Sequence, residues 1–275
     1  MTYMSIWIWQ PAKNQAGKPF LTCVLLPQPH GFFTSQFYPQ APAELAKILS
    51  PKAEVYRVKQ VHSGDVLLPS EIESATASEL SHRSELSHPS EATTVPFPLA
   101  DGIATEKPNQ VAWACSADCT PALIGDVETG QVAAVHAGWR GTAQKILPNA
   151  IARLQSQGSQ LKNLRIALGP AIDGSVYQVG YSVAIEVGKS VSHLDGKALI
   201  EHLMAIDNPP ILSDQVEGRV RLDVRRINQM QLVKIGIQPE CIAIAPHCTY
   251  QEPDTFFSYR RTKEKKVQWS GIVSI

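Results

Sequence analysis

Apolar and polar positions alternate with a strand period in both halves of the chain, and helical spacing fills the intervals between. At the N-terminus MTYMSIWIWQP puts Ile6 and Ile8 on one side and Trp7 and Trp9 on the other before Gln10-Pro11 stops the run. FLTCVLL and EVYRVKQV read as strands around PAELAKILS, in which Ala43, Leu45, Ala46 and Leu49 share a helical face. QVAWACSADC, PALIGD and QVAAVH are strand-like, with a turn at ETG. In the last of these, Val132, Ala134 and His136 oppose Ala133 and Val135, so the strand ends on a histidine. AGWRGT follows as a Gly-rich turn with Thr142 as the expected N-cap. Ile146, Leu147, Ala150, Ile151 and Leu154 then recur at helical spacing up to Gly158. Pro148 lies inside that run and predicts a kink or a late helix start.

The second half repeats the alternation. LRIALGPAI predicts a strand leading into a turn, VGYSVAIEVGKSV a helix, and VRLDVRRINQMQLVKIGI a strand followed by a helix closed by Gly236. CIAIAPHCTY is a strand, FFSYRR a short aromatic and arginine-rich segment, and VQWSGIVSI a closing strand. No GxGxxG follows any strand, so the pattern predicts a layered α+β protein with mixed sheets rather than a doubly wound dinucleotide fold. Residues 69–99 stand apart. They are rich in Ser, Glu and Pro and carry the repeat SELSH at 78–82 and 84–88. Too little apolar surface is available there to offset the entropy of ordering, which predicts a structureless surface insertion within one domain spanning 1–275. His82 and His88 belong to that insertion and read as surface histidines rather than ligands.

Composition narrows the class. With 44% hydrophobic and 18% charged residues and a formal net charge of zero, the chain reads as an ordinary globular protein. It lacks the basic surplus that a nucleic-acid or anionic-membrane partner normally needs. The N-terminal apolar stretch has no basic flank and no small-residue cleavage site, and no run approaches the roughly 20 apolar residues of a membrane span. Five cysteines without a CxxC pair argue against a disulfide framework and for a reducing cytoplasm. Nothing in the pattern calls for an obligate protein partner.

Three side chains able to ligate a metal end strands or begin turns: His62 in KQVHSGD, Cys119 in SADCTP and His136 in AVHAGWRGT. Two imidazoles and a thiolate suit a catalytic zinc, which keeps three protein ligands and one open position. From the residues alone a buried structural cysteine with two hydrogen-bonded histidines fits equally well, and Cys119 could also serve as a nucleophile activated by imidazole. Arg140 could fork onto a phosphate at the glycine turn or pair with a carboxylate. Cys115 reads as core, and Asp118 as an acid-base group or a support for the thiolate ligand. The eight histidines include no HxH pair, which argues against a multicopper oxidase.

KQVHSGD, SADCTPALIGD, AAVHAGWRGT, GPAIDGSVYQVG, LDVRRINQMQL and CTYQEPDTFFSYRR occur in this order, and together they resemble the laccase-domain family, once called multicopper polyphenol oxidases. The resemblance runs from about Phe20 to the C-terminus. It implies a layered α-β-β-α sandwich and a zinc site at His62, Cys119 and His136, with copper as the alternative metal. It implies phosphorolysis of purine nucleosides (adenosine, inosine, guanosine, methylthioadenosine), with adenosine deamination as a further activity. Apart from the resemblance, Arg140, Tyr177, Arg260 and Arg261 are read as lining a nucleoside or phosphate pocket, with a purely structural role fitting each of them equally well. Some bacterial members are described instead as editing peptidoglycan precursors, by the same site. Independently of the resemblance, a non-enzymatic reading stays open, in which the protein binds metal or nucleoside without turnover and the Ser-rich insertion recruits a partner. The chain departs from the usual pattern at Asp173, where many members have Gly, at Gln178, where many have Glu, and after FFSYRR.

Overall fold

The structure is a computed structural model that describes residues 6–13, 15–86 and 97–275. Among these residues the strands form three sheets. The first has the order β1 (Trp7–Pro11), β2 (Pro19–Cys23), β3 (His30–Phe33), β15 (Gln268–Val273), β7 (Gln110–Ser116) and β4 (Glu54–Tyr56). The second has the order β14 (Ile242–Ile244), β10 (Leu164–Leu168), β8 (Thr120–Asp126), β9 (Val132–Ala137), β6 (Gly102–Ala104) and β5 (Val66–Leu67). A small antiparallel sheet pairs β11 (Gln178–Gly180), β13 (Arg219–Leu222) and β12 (Ile211–Ser213). Both large sheets are mixed, because β4 runs parallel to β7, β10 to β14 and β5 to β6, against antiparallel neighbours. The helices are α1 (Pro42–Leu49), α2 (Pro69–Leu86), α3 (Trp139–Ala143), α4 (Ile146–Ser156), α5 (Tyr181–Gly188), α6 (Gly196–Ala205), α7 (Val224–Lys234) and α8 (Tyr259–Thr262). No described helix is long and apolar enough to cross a membrane.

Strand alternation assigns each side chain to a layer. On β7, Ala112 and Ala114 join Leu123, Ala134 and Ile272 in the core between the two sheets. Val111 and Trp113 point the other way, onto Leu45 and Ala46 of α1. On β9, Ala133 and Val135 pack outward against Ile146, Leu147, Ala150 and Ile151 of α4. The layers thus run helix, sheet, sheet, helix, the α+β sandwich that the sequence and its resemblance predict. Gly271 on β15 leaves room for the Trp113 ring, since a Cβ there would lie 2.6 Å from it. A further core, formed by Val187 of α5, Leu199 and Leu203 of α6 and Ile211, Val220 and Leu222 of the small sheet, builds onto the side of the sandwich.

Two local expectations need correction. Thr142 does not cap a helix: the chain turns at Gly138 directly into α3, and Thr142 inside it exchanges hydrogen bonds with Asn228 of α7. Lys145, at φ 59°, separates α3 from α4, so the helix starts late and Pro148 falls in its first turn, where the N–H has no intrahelical acceptor to lose. The second correction concerns the insertion, which is helical over Pro69–Leu86. Glu71 accepts from the Leu68 N–H at 2.8 Å, closing the first turn, and pairs with Arg153 of α4. Ile72 is buried, and Tyr56 donates to Glu73 at 2.5 Å. Average composition hid these anchors because they all sit in the first turns. Residues 87–96, including His88, lie outside the described residues.

Candidate metal centre

In the β8–β9 ladder Thr120 faces Ala137 and Pro121 faces His136. Cys119, immediately before β8, and His136, near the end of β9, are thereby brought to one edge of the second sheet. His62 arrives from the loop between β4 and β5, where its own φ of 64° turns the chain back on itself. His62 Nε2 lies 3.9 Å from Cys119 Sγ, and the imidazoles of His62 and His136 meet edge to face with centroids 4.9 Å apart. One donor atom from each residue falls within 4.8 Å of the others. Opposite them Gly138 closes the space: a Cβ at this position would sit 2.9 Å from Cys119 Sγ and 3.0 Å from His62 Cδ2.

Asp101 stands behind the three. Its Oδ1 lies 2.7 Å from His136 Nδ1, and its Oδ2 accepts from the backbone N–H groups of Val61 at 2.9 Å and Ser63 at 2.7 Å. Its main chain is engaged too, since His136 N donates to Asp101 O at 2.7 Å. Burial pushes the Asp101 carboxyl upward, but the His136 ring and the two N–H groups outweigh it and hold the pKa below its ordinary value. Sequence reasoning missed this residue, which lies in LADGIAT with no motif around it. The available signal was a carboxylate heading a strand of buried residues, together with the rule that a ligating histidine gives its other ring N–H to such a group.

Burial opposes ionisation of the Cys119 thiol, yet the His136 and His62 imidazoles more than offset it and bring its pKa to about 6. Burial likewise disfavours the His136 cation, and the Cys119 sulfur and Asp101 reverse that, raising it to about 9. The pair therefore stands as thiolate and imidazolium at neutral pH. Fit to a metal follows from the donors. Ligands held 2.0–2.3 Å from a tetrahedral zinc sit about 3.5 Å from one another, against the 3.9 Å seen between Cys119 and His62. With Nδ1 of His136 committed to Asp101, its Nε2 is the nitrogen left for coordination.

Beside the three donors a small cleft is walled by Cys119, Gly138, Trp139, Ile172, Tyr177 and Val224. Burial pushes the Tyr177 phenol up to about 12, so it remains a donor at neutral pH. The Arg260 guanidinium lies over its ring at 4.8 Å and donates to Gln178 O at 2.9 Å. Arg140 is exposed, its guanidinium 4.3 Å from the ring centroid of Trp139, which lines the cleft. Arg261 is used differently. Its guanidinium donates to the carbonyls of Thr249, Tyr250 and Phe256 at 2.6–2.7 Å and so clasps the loop ahead of α8. Asp118 is likewise tied, accepting from Thr249 Oγ1 at 2.7 Å and from Arg260 N at 2.6 Å. Cys115 is half-buried, outside the three-residue cluster, and burial raises its thiol to about 11.

The two departures in GPAIDGSVYQVG have structural partners. Asp173 pairs at 2.5 Å with Arg225, a buried arginine that also donates to Ala245 O. Gln178 donates its amide to Asp214 at 2.9 Å, a contact that a glutamate could not make.

Residues 40–274 match the family model described as multi-copper polyphenol oxidoreductase laccase. The chain is similar to Purine nucleoside phosphorylase slr1573 of Synechocystis sp., 51% identical over 98% of this chain and 97% of that protein. It is similar also to Adenosine deaminase RL5 of an unknown prokaryotic organism, 29% identical over 58% of this chain and 56% of that one. Among solved structures, YlmD from Geobacillus stearothermophilus superposes with a TM-score of 0.72 at 21% identity, over 93% of this chain and 96% of that one, a likeness of fold.

Proposed function

The chain belongs to the multi-copper polyphenol oxidoreductase laccase family, and we propose that it cleaves purine nucleosides with phosphate at the site of His62, Cys119 and His136. The observation that carries this reading is the convergence of those three donors beside an aromatic-walled cleft, in a chain 51% identical to a protein named purine nucleoside phosphorylase. Zinc is the ion the donor set suits best, and bound there it supplies a Lewis acid that polarises an oxygen of the reactants.

The protein's own groups divide the remaining work. His62, Cys119 and His136 hold the ion, while Asp101 keeps the proton of His136 on Nδ1. Trp139 and Tyr177 offer ring faces and edges to a purine, and the Tyr177 hydroxyl donates to a base nitrogen or ribose oxygen. Arg140 and Arg260 bring positive charge to the cleft for phosphate. Arg261 takes no part, since three carbonyls already engage it. Phosphate attacks the anomeric carbon, the glycosidic bond breaks, and the base leaves with a proton. Protonation assists that departure. Deamination of adenosine is a second reading, favoured by the similarity to Adenosine deaminase RL5: there water, not phosphate, attacks C6 of the purine, the C6–N bond breaks and ammonia leaves, while the glycosidic bond stays intact. Five unpaired cysteines suit a cytosolic setting.

Chromatography of the products tests the proposal. Zinc-loaded protein given inosine or adenosine is expected to release hypoxanthine or adenine only when phosphate is present, and Cys119→Ala to release neither. Inosine formed from adenosine without phosphate identifies the deaminase reaction. No turnover of either nucleoside sinks both readings.

A further inference from the structure

We infer that Asp101 is the positioning residue of the centre: one buried carboxylate that fixes the His136 ring through one oxygen and the His62 loop through the other. Two of the three donors come from elements with no direct hydrogen bond to each other. Asp101 is the shared point of attachment, and its side chain is fully buried.

The geometry demands a carboxylate and nothing else of that size. Three N–H groups converge on it, from His136 Nδ1 and from the main chain of Val61 and Ser63. An ionised aspartate accepts on both oxygens, whereas an asparagine offers one oxygen and one NH2. If an asparagine here turned its oxygen to His136, its NH2 would face two backbone N–H groups. In the other orientation its NH2 would face Nδ1. The His136 proton would then have to move to Nε2, the nitrogen needed for the metal. Either arrangement spoils one of the two donors while hardly changing volume.

The loop of His62 adds a second constraint. His62 sits in the left-handed region, flanked on both sides by the N–H groups that Asp101 holds. From outside, Gln144 donates to His62 O at 3.3 Å and accepts from Gly64 N at 3.2 Å, while Asn149 donates to Gly64 O at 2.9 Å. Those outer contacts are exposed and compete with water. The inner contacts, made to a carboxylate that is itself fully buried, set where the imidazole of His62 stands.

The inference rests on the metal reading of the three residues and not on the nucleoside chemistry. Cobalt(II) titrated into the metal-free full chain, followed by its thiolate charge-transfer and ligand-field bands, is expected to bind Asp101→Asn roughly 10- to 100-fold more weakly than wild type. The thiolate band persists, because Cys119 is untouched. Affinity within about twofold of wild type overturns the inference, since a residue serving stability alone would leave it so. Should the variant fail to fold, the zinc-loaded wild-type chain, isotopically labelled in its histidine ring nitrogens, gives the answer by magnetic resonance. His136 is expected to carry its proton on Nδ1, and the opposite tautomer overturns the assignment. A wild type that takes up no cobalt overturns the metal reading itself, and that failure is recognised without any change at residue 101.

Discussion

Cys119 is the residue whose chemistry the surroundings change most. With a pKa brought to about 6, its sulfur is largely thiolate at pH 7, while burial raises Cys23 and Cys115 to about 11. In metal-free protein, iodoacetamide at pH 7 is therefore expected to label Cys119 ahead of those two, with a pH midpoint near 6. Zinc should suppress the reaction. Peptide mass spectrometry after brief labelling checks this, and modification of Cys115 at the same rate would refute the thiolate assignment. At this scale the site was half legible. Cys119 and His136 stand out because each ends, with a soft ligand, an apolar stretch that reads as a strand, and a period of two is visible in the letters, although Cys119 falls between β7 and β8. His62 was a candidate from its residue type at the end of the strand-like EVYRVKQV, but it lies in a loop, where no period operates, and only the family resemblance joined it to the other two. Asp101 was missed because its partners are two backbone N–H groups and a ring 35 residues away, none of which has a sequence signature.

Among the elements, α2 shows what average composition conceals. Its apolar anchor is Ile72, 7% exposed in the core between the large sheets. Ile72→Ala is expected to lower unfolding stability by about 2–4 kcal/mol, the range for deleting a buried branched side chain. Urea unfolding measures it. A change below about 0.5 kcal/mol would mean that the helix lies on the fold without supporting it. Strands and helices with a buried face were readable in the sequence: β7, β9, α4 and α7 fall where their periods predict. α6 and β12 went unrecognised. Their burial is supplied by the small third sheet, a partner that local periodicity does not reveal.

Taken whole, the molecule stores its pH sensitivity in buried groups. His30, which lies on β3 and is 7% exposed, accepts from Cys23 N at 2.8 Å and lies 2.8 Å from Gln28 O, its Nδ1 turned to that carbonyl. Burial lowers its pKa from the ordinary 6.5, so as pH falls below that value the unfolded chain binds a proton that the native state refuses. Stability accordingly drops with acid in that window. Asp101, Asp126 and Asp173 are depressed below 3.8, and their contribution is present above that value and lost as pH falls through it. The Cys119–His136 pair adds little slope in that window, since the native state takes up its second proton on the sulfur near 6 and the unfolded chain takes up its own on a free imidazole near 6.5, so the two uptakes nearly cancel. Melting temperatures measured between pH 7 and 5.5 are expected to fall for wild type and to stay level for His30→Gln, whatever the absolute stability of the variant. An equal slope in both would remove His30 from the account.

Strand β15 lies between β3 and β7 and pairs with both. The middle of the first sheet is thus made from the last strand along the chain. During synthesis β3 and β7 emerge from the ribosome long before the segment that joins them, and each presents an open edge to any other strand nearby. The nascent chain is committed to a wait, and a holding chaperone at that stage would protect two edges that the finished protein never shows.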